Sequence, residues 1–124
     1  MLDAAAAGVS THLEVWDEDR GVMRSAAEVF DELVATRPRP AELVVVHGDA
    51  STPNFVIDHG RLTGVVDLGD LGIGDPWFDL ATCLKSMRRP GNGLAHEQDR
   101  FLEAYGVEPD PVRERWHRLL YALV

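Results

Sequence analysis

The sequence predicts an α+β fold that is predominantly helical, and three observations lead to this prediction. Apolar residues repeat at helical spacing in several segments, short runs of β-branched residues lie between two of these segments, and turn-forming residues separate the runs. A few short strands among several helices are typical of an α+β arrangement. The 124 residues, 45% of them hydrophobic, suit one compact domain with a real core.

The first helix that the pattern predicts clearly begins after Ser25. Ser25 and Glu28 have the spacing of a capping box, in which each side chain satisfies a free backbone donor. The apolar stripe of this helix consists of Ala26, Val29, Phe30, Leu33 and Val34. Prolines in the segment 37–40 end the helix. Residues 1–23 give a short alanine-rich helical signal and otherwise no clear assignment.

Three short segments predict strands: 43–46, 55–57 and 62–66. The second and third are separated by Asp58-His59-Gly60, which is typical of a tight turn, so they are expected to form a β-hairpin. The glycines at positions 69, 72 and 74 follow the hairpin, and we interpret them as turn formers.

Three helices are predicted after the hairpin. Asp75-Pro76 is an N-cap with proline at the first helical position, and Asp110-Pro111 repeats this pattern. Between these two helices, a third ends at about Tyr105, where a glycine follows. The expected buried faces carry Trp77, Leu80, Ala81, Leu84 and Met87 in the first helix, and Val112, Trp116, Leu119, Leu120 and Leu123 in the last.

Composition excludes several classes of protein. A net charge of -9 argues against a nucleic-acid partner, which needs basic patches, and favours a cationic one. Cys83 is the only cysteine, so no internal disulfide can form, and we expect it to be packed rather than nucleophilic. No apolar run is long enough to span a bilayer, and the start lacks the basic region of a signal peptide. We therefore expect a cytoplasmic protein without membrane contact.

Three polar residues stand at the ends of predicted strands, in turns, and have side chains suited to phosphoryl transfer: Asp49, Asn54 and Asp67. An Asp can orient a hydroxyl nucleophile and accept its proton, and an Asn with a second Asp can supply oxygen ligands for Mg²⁺. Asp49 and Asn54 have the D-x-x-x-x-N spacing of a kinase catalytic loop, with Gly48 in place of arginine. Asp67 begins D-L-G where a kinase has D-F-G. The hairpin is expected to bring both groups to the same end of the strands.

These motifs resemble those of the aminoglycoside phosphotransferases. The similar segments are Val46-His47-Gly48-Asp49, Pro53-Asn54, Gly64 to Gly69, Gly72 to Pro76 and Asp79-Leu80-Ala81. The resemblance implies that residues 1–124 form a single domain, the C-terminal lobe of a protein-kinase-like fold. The glycine-rich loop and strand lysine of the N-terminal, ATP-binding lobe are not in this sequence. Lys85, the only lysine, lies on a predicted helix. We expect weak ATP binding and little catalysis by this chain alone.

The resemblance also implies cofactors and roles. ATP would be the phosphoryl donor, with Asp49 as the catalytic base, and Mg²⁺ would be bound by Asn54 and Asp67. Structural support of the catalytic loop is expected from His47, Asp75 and Asp79. The acceptor would be a cationic aminoglycoside, and the side chains expected to attract it are Asp17, Glu18, Asp19 and Asp70. Tyr121 and Ala122 stand where kanamycin kinases have an acidic pair, so kanamycin is a doubtful substrate.

Other functions are compatible with the same residues. The acceptor could instead be a macrolide, choline, homoserine or a sugar, because the motifs around Asp49 and Asp67 are shared by kinases for all of these. A third hypothesis is a non-catalytic interaction domain or remnant, which the missing lobe favours and the intact Asp49, Asn54 and Asp67 disfavour. The exposed lobe interface could also drive self-association. The five histidines have no close ligand spacing, which disfavours a metal hydrolase.

Overall fold

The computed structural model describes residues 2–11 and 14–124 of the chain. In this part of the chain the helices and strands are, in order, α1 (Leu2–Thr11), β1 (Glu14–Asp17), β2 (Val22–Ser25), α2 (Ala26–Ala35), β3 (Val44–Val46), β4 (Phe55–Asp58), β5 (Arg61–Val65), β6 (Gly72–Gly74), α3 (Pro76–Met87), α4 (Gln98–Tyr105) and α5 (Pro111–Leu123). The strands form three separate antiparallel pairs, β1–β2, β3–β6 and β4–β5. Helices contain more residues than strands, which confirms the predicted fold class. None of the described helices combines the length and hydrophobicity needed to cross a bilayer.

The larger core cluster lies where α5 packs against α1 and α2. Its buried members are Ala5, Val15, Ala26, Val29, Leu33, Phe78, Trp116, Leu119, Leu120 and Leu123. The indole Nε1 of Trp116 donates a hydrogen bond of 3.0 Å to the carbonyl oxygen of Leu33, so α5 is tied to α2 by a polar contact as well. Ser25 caps α2 as predicted, by accepting a hydrogen bond from the backbone N–H of Glu28.

The smaller core cluster joins α3 to α4. It contains Trp77, Leu80, Cys83, Leu84, Met87 and Leu102. Asp75 caps α3 by accepting from the backbone N–H of Trp77, and Gly106 ends α4 in a left-handed conformation with φ of 96°. Burial, together with the charge of Asp79, raises the pKa of the Cys83 thiol to about 11, so this thiol is a packed group and a poor nucleophile.

Four details of the fold differ from the sequence prediction. Residues 14–25 form the β1–β2 hairpin, which the sequence did not indicate. The glycine-rich segment Gly72–Gly74, interpreted as a turn, is a strand paired with β3. Val34 and Val112, expected on buried faces, are 53% and 76% exposed. The three-residue strand β6 contains two glycines and depends on a partner distant in sequence, so it leaves no local pattern to detect.

A buried carboxylate at the end of β1 holds the β1–β2 hairpin to α2 and α5. Asp17 is 0% exposed, and its oxygens lie 3.0 Å from Arg24 and 3.2 Å from Arg115. Both arginines also contact Glu32 of α2. Burial alone would raise the pKa of Asp17, but hydrogen bonds from Arg115, the Arg20 backbone and Arg24 outweigh it and lower the pKa to about 2.

We expect Asp17→Asn to lower the free energy of unfolding at neutral pH by about 2 kcal/mol. This is less than the usual cost of breaking a buried ion pair, because Arg24 and Arg115 still have Glu32 as an ion-pair partner. The folded-state pKa of about 2 lies below the ordinary value of 3.8, so the stabilisation is present above 3.8 and lost as the pH falls towards 2. Urea unfolding measured from about pH 5 to pH 2 should therefore show a shallower pH dependence for the variant than for the wild type.

Asp31→Asn is the matched control, because Asp31 is exposed on α2. Its unfolding free energy should stay within about 0.5 kcal/mol of wild type. Equal pH dependence of the wild type and Asp17→Asn would contradict the role given to Asp17.

Candidate active site

The loop after β3 is held by a carboxylate from α3. The backbone N–H of His47 donates to Asp79 Oδ2 at 2.7 Å, and that of Gly48 donates to Asp79 Oδ1 at 3.0 Å. Hydrogen bonds to a carboxylate are stronger than those between neutral groups, and here both oxygens are used by adjacent amides. Asp79 therefore accepts two hydrogen bonds from the loop backbone, and they fix the start of the loop against α3.

His47 joins this loop to the residues that follow the β4–β5 hairpin. Its Nδ1 accepts the backbone N–H of Asp49 at 3.1 Å, and its Nε2 lies 2.7 Å from the carbonyl oxygen of Val66. Because Nδ1 is an acceptor, Nε2 is the ring nitrogen that donates to the carbonyl oxygen of Val66. His47 thus links the residue before Asp67 to Asp49, consistent with the structural role expected for it.

Asn54 closes the loop from the other side. Its side chain is 6% exposed, and Nδ2 donates to the carbonyl oxygen of Asp49 at 2.7 Å. The backbone N–H of Val66 donates to the carbonyl oxygen of Asn54 at 2.9 Å, next to the first hairpin pair, Phe55 with Val65. The hairpin therefore brings Asn54 beside the segment that carries Asp67, as the spacing predicted.

Asp67 lies at the exit of the hairpin in a strained conformation. Its φ of 59° and ψ of 55° are left-handed, which a non-glycine residue adopts at a cost of about 1 kcal/mol. The side chain is exposed, and its carboxylate makes no hydrogen bond or ion pair with the residues that the structure describes. A strained residue with a free carboxylate is typical of a functional position rather than a packed one.

The donor set at this position fits Mg²⁺ bound together with a phosphate ligand. Within residues 2–11 and 14–124, no group of three His, Cys, Asp or Glu side chains could hold a metal ion without help. Mg²⁺, however, is usually bound by one or two carboxylates together with substrate phosphates and water. Asp67 offers a free carboxylate, and the amide oxygen of Asn54 has no hydrogen bond to the described residues.

Asp49 borders a cavity of about 220 Å³ between the loop, α3 and α5. Its lining residues are Asp49, Ser51, Thr82, Lys85, Ser86, Arg89, Arg118 and Tyr121. Tyr121 of α5 reaches across and donates its hydroxyl to Asp49 Oδ1 at 2.9 Å. Burial, followed by this hydrogen bond and the charge of Asp49, raises the pKa of the Tyr121 phenol. A hydroxyl group is thus already held at the carboxylate by the protein itself.

The acidic residues expected to attract a cation are largely paired with arginines. Asp17, which we expected to attract a substrate, has no exposed surface, and arginines enclose its side chain. Glu18 and Asp19 both contact Arg118, at 2.9 and 2.8 Å. Asp70 is exposed, and its charge acts on the Tyr121 phenol. Of the four, Asp70 alone makes no ion pair in the described part of the chain.

Asp75 lies away from this cavity. Besides capping α3, it contacts Arg113 of α5 at 3.1 Å, so it connects two helices and does not support the loop directly. Sequence reasoning missed the contribution of Arg89 and of the Tyr121 hydroxyl to the cavity. Lys85 lies in the last turn of α3, whereas Arg89 follows the C-cap Arg88, so no helical spacing in the sequence indicated that the two would line one cavity.

Comparison with solved structures gives the class of protein. An aminoglycoside-3'-phosphotransferase of type VIII superposes with a TM-score of 0.84 at 26% identity, over 99% of this chain and 49% of that one. An aminoglycoside phosphotransferase from Streptomyces rimosus, in complex with ADP and streptomycin, matches with a TM-score of 0.76 at 26% identity, over 98% of this chain and 51% of that one. The fold is that of one half of an aminoglycoside phosphotransferase.

Sequence comparison then gives the family. Residues 3–117 match the profile described as the phosphotransferase enzyme family, and the chain belongs to that family. An aminoglycoside 3'-phosphotransferase of Enterococcus faecalis is 32% identical over 113 residues, covering 90% of this chain and 39% of the relative. A streptomycin 3''-kinase of Streptomyces griseus is 37% identical over 99 residues, covering 73% and 36%. The chain thus spans less than half the length of these curated relatives.

Gly48 has no room for a side chain. Its φ is 92°, and an added Cβ would lie 2.5 Å from Asp70 Cβ and still closer to the Asp70 carbonyl oxygen. We expect Gly48→Ala to lower the free energy of unfolding by about 1–3 kcal/mol more than Gly60→Ala, because it adds a steric clash to the cost of positive φ.

Gly60 is the matched control, since its φ is 75° and nothing lies within 4 Å of an added Cβ. Both variants would be compared by urea unfolding. Equal destabilisation would show that the approach of Asp70 to Gly48 is not a constraint.

The Tyr121 hydrogen bond predicts how the phenol titrates. In Asp49→Asn, the pKa of Tyr121 should fall part of the way to its ordinary value of 10.0, because the carboxylate charge no longer opposes the phenolate while burial still does. The measurement is an ultraviolet-difference titration in a Tyr105→Phe background, where Tyr121 is the remaining tyrosine of two. An unchanged titration would contradict the contact between Tyr121 and Asp49.

Proposed function

We propose that this chain forms the acceptor-binding and metal-binding half of an ATP- and Mg²⁺-dependent O-phosphotransferase that acts on aminoglycosides. The single observation that supports it most is the position of Asp49. It borders a cavity, it already accepts a hydroxyl from Tyr121, and Asn54 ties its backbone to the hairpin that leads to Asp67. Family membership supports ATP as the phosphoryl donor, and a structural neighbour is described in complex with ADP.

In the proposed reaction, Asp49 orients the acceptor hydroxyl and takes its proton. The hydroxyl oxygen forms a bond to the γ-phosphorus of ATP as the bond from that phosphorus to the bridging oxygen of ADP breaks. Asn54 and Asp67 would hold Mg²⁺, which would supply charge neutralisation on the phosphates. His47 and Asp79 keep the loop in place, so that Asp49 does not have to be ordered during the reaction.

The hydroxyl of Tyr121 occupies the position that an acceptor hydroxyl needs at Asp49. An acceptor must therefore displace this phenol or share Asp49 with it through the second carboxylate oxygen. Asp49 Oδ2 is available for this, since its contact with Asn54 Nδ2 is long, at 3.4 Å. Tyr121 thereby limits how the acceptor enters the site.

An acceptor other than an aminoglycoside is the second candidate, and the charge around the cavity favours it. Glu18 is ion-paired with Arg118 and Lys85, and Asp19 with Arg118 and Arg115. Lys85 and Arg89 line the same cavity as Asp49. A polycation gains little attraction from such a wall. Macrolide, choline, homoserine and sugar acceptors remain in this second group.

The remaining half of the enzyme would bind ATP. We propose that residues 1–124 correspond to the C-terminal lobe and that a glycine-rich loop and a strand lysine must come from an N-terminal lobe. The surface available for it carries exposed apolar side chains on two sheets: Val45, Val56, Ile57, Leu62 and Ile73. Self-association through this surface is the alternative, and sedimentation of the isolated chain would show it.

The test is phosphate transfer from labelled ATP to a panel of aminoglycosides, with the chain alone and fused to the N-terminal half of the Enterococcus faecalis relative. We expect little or no transfer by the chain alone and Mg²⁺-dependent transfer by the fusion. Asp49→Asn should reduce kcat of the fusion by at least about 100-fold, the usual contribution of a positioned base.

Asp99→Asn on α4 is the matched control and should leave kcat unchanged, because Asp99 is exposed and remote from the cavity. Transfer by the fusion that survives Asp49→Asn would overturn the assignment of the base. No transfer by a folded fusion to any hydroxyl acceptor would favour the non-catalytic hypothesis.

A further inference from the structure

The cavity beside Asp49 is positively charged in a chain that is acidic overall. The formal net charge of the chain is -9, yet the cavity is lined by three cationic side chains and a single carboxylate, that of Asp49. The cations are Lys85, Arg89 and Arg118. Local charge, rather than net charge, decides which groups a cavity attracts at close range.

The three cations differ in how far they are already neutralised. Arg118 contacts Glu18, Asp19 and Glu114, at 2.9, 2.8 and 2.8 Å, so its charge is fully compensated by carboxylates of the protein. Lys85 is 46% exposed, and its Nζ lies 3.6 Å from Glu18 Oε2, while the other oxygen of that carboxylate contacts Arg118. The positive charge of Lys85 at the cavity is therefore incompletely compensated, and the same holds for Arg89.

Arg89 is the least compensated of these residues. It is exposed, and its guanidinium makes no hydrogen bond or ion pair with the residues that the structure describes. Its positive charge acts on the Tyr121 phenol, lowering the pKa there against the larger effects that raise it. The same phenol donates its hydroxyl to Asp49, so the Arg89 guanidinium and the Asp49 carboxylate both act on the Tyr121 side chain.

Uncharged donors complete the wall. The hydroxyls of Ser51, Thr82 and Ser86 line the same cavity. We propose that Lys85 and Arg89 form an oxyanion subsite next to Asp49, which takes a carboxylate or phosphate group. A planar guanidinium and an ammonium on one rim suit a group with two or three oxygens.

The role of this subsite rests on the proposed function. The oxyanion has two possible sources. It is either an anionic group that the acceptor carries beside its reacting hydroxyl, or the phosphoryl group once it has been transferred to that hydroxyl. In both cases the subsite counteracts the repulsion that Asp49 exerts on a nearby anion.

The test follows the arginine Nε–H signals of the full 124-residue chain by NMR during titration with inorganic phosphate at constant ionic strength. The Arg89 signal should shift and saturate. Arg89→Gln should weaken phosphate binding by about tenfold, the equivalent of one charge-assisted hydrogen bond, and Lys85→Gln should weaken it by a smaller factor. Both side chains are exposed, so neither change is expected to unfold the chain.

Arg100→Gln is the matched control, because Arg100 is 84% exposed on α4, outside the cavity, and should change phosphate affinity by less than about twofold. A shift that does not saturate, an equal shift at Arg100, or full affinity in Arg89→Gln would overturn the subsite.

A second titration with glucuronate, glucose and glucosamine separates the two sources. Glucuronate binding more tightly than glucose, with the difference lost in Arg89→Gln, assigns the subsite to an acceptor's anionic group. Phosphate binding without preference for glucuronate assigns it to the transferred phosphoryl group. Tighter binding of glucosamine that is independent of Arg89 would overturn the proposal. No ATP is needed, so failure here leaves the transfer assay, and with it the proposed function, to succeed or fail separately.

Discussion

The pair of hydrogen bonds from His47 and Gly48 to Asp79 is the interaction on which the rest of the site depends. It connects a loop that follows a three-residue strand to a helix whose other face is part of the core. Without it, nothing in the short strand pair would fix the direction of Asp49. From this anchor, His47 reaches Val66 and Asn54 reaches the backbone of Asp49, so the loop and the hairpin form one hydrogen-bonded unit.

The ion pairs around Asp17 explain how an acidic chain comes to have a cationic cavity. Arg24 and Arg115 are turned inwards to a buried carboxylate, and Glu32 joins them from α2. Arg118 of α5 then forms ion pairs with Glu18 and Asp19, whose side chains stay 38% and 39% exposed. These carboxylates are thus paired with arginines, while Arg89 remains without a partner in the described residues. Net charge alone would have suggested the opposite character for the cavity.

Much of the fold followed from local signals in the sequence. Ser25, Asp75 and Asp110 each cap a helix as predicted, because capping depends on residues a few positions apart. The β4–β5 hairpin followed from two short strand-type runs separated by a tight turn. Strand β6 could not be predicted, because it exists only by pairing with β3 across an intervening hairpin. The arginine partners of Asp17 likewise lie on other elements, so its burial was not evident from the sequence.

The contact between Gly48 and Asp70 divides the two positions into one that is fixed and one that is free to vary. The three atoms nearest to a Cβ added at Gly48 are the Cβ, carbonyl carbon and carbonyl oxygen of residue 70, which every amino acid except glycine provides in the same place. The end of the residue 70 side chain is exposed near Tyr121 and takes no part in the contact. Substitutions at position 70 can therefore change the charge that faces an acceptor without disturbing the loop. Divergence of substrate preference is open to evolution at this position, whereas position 48 must stay glycine.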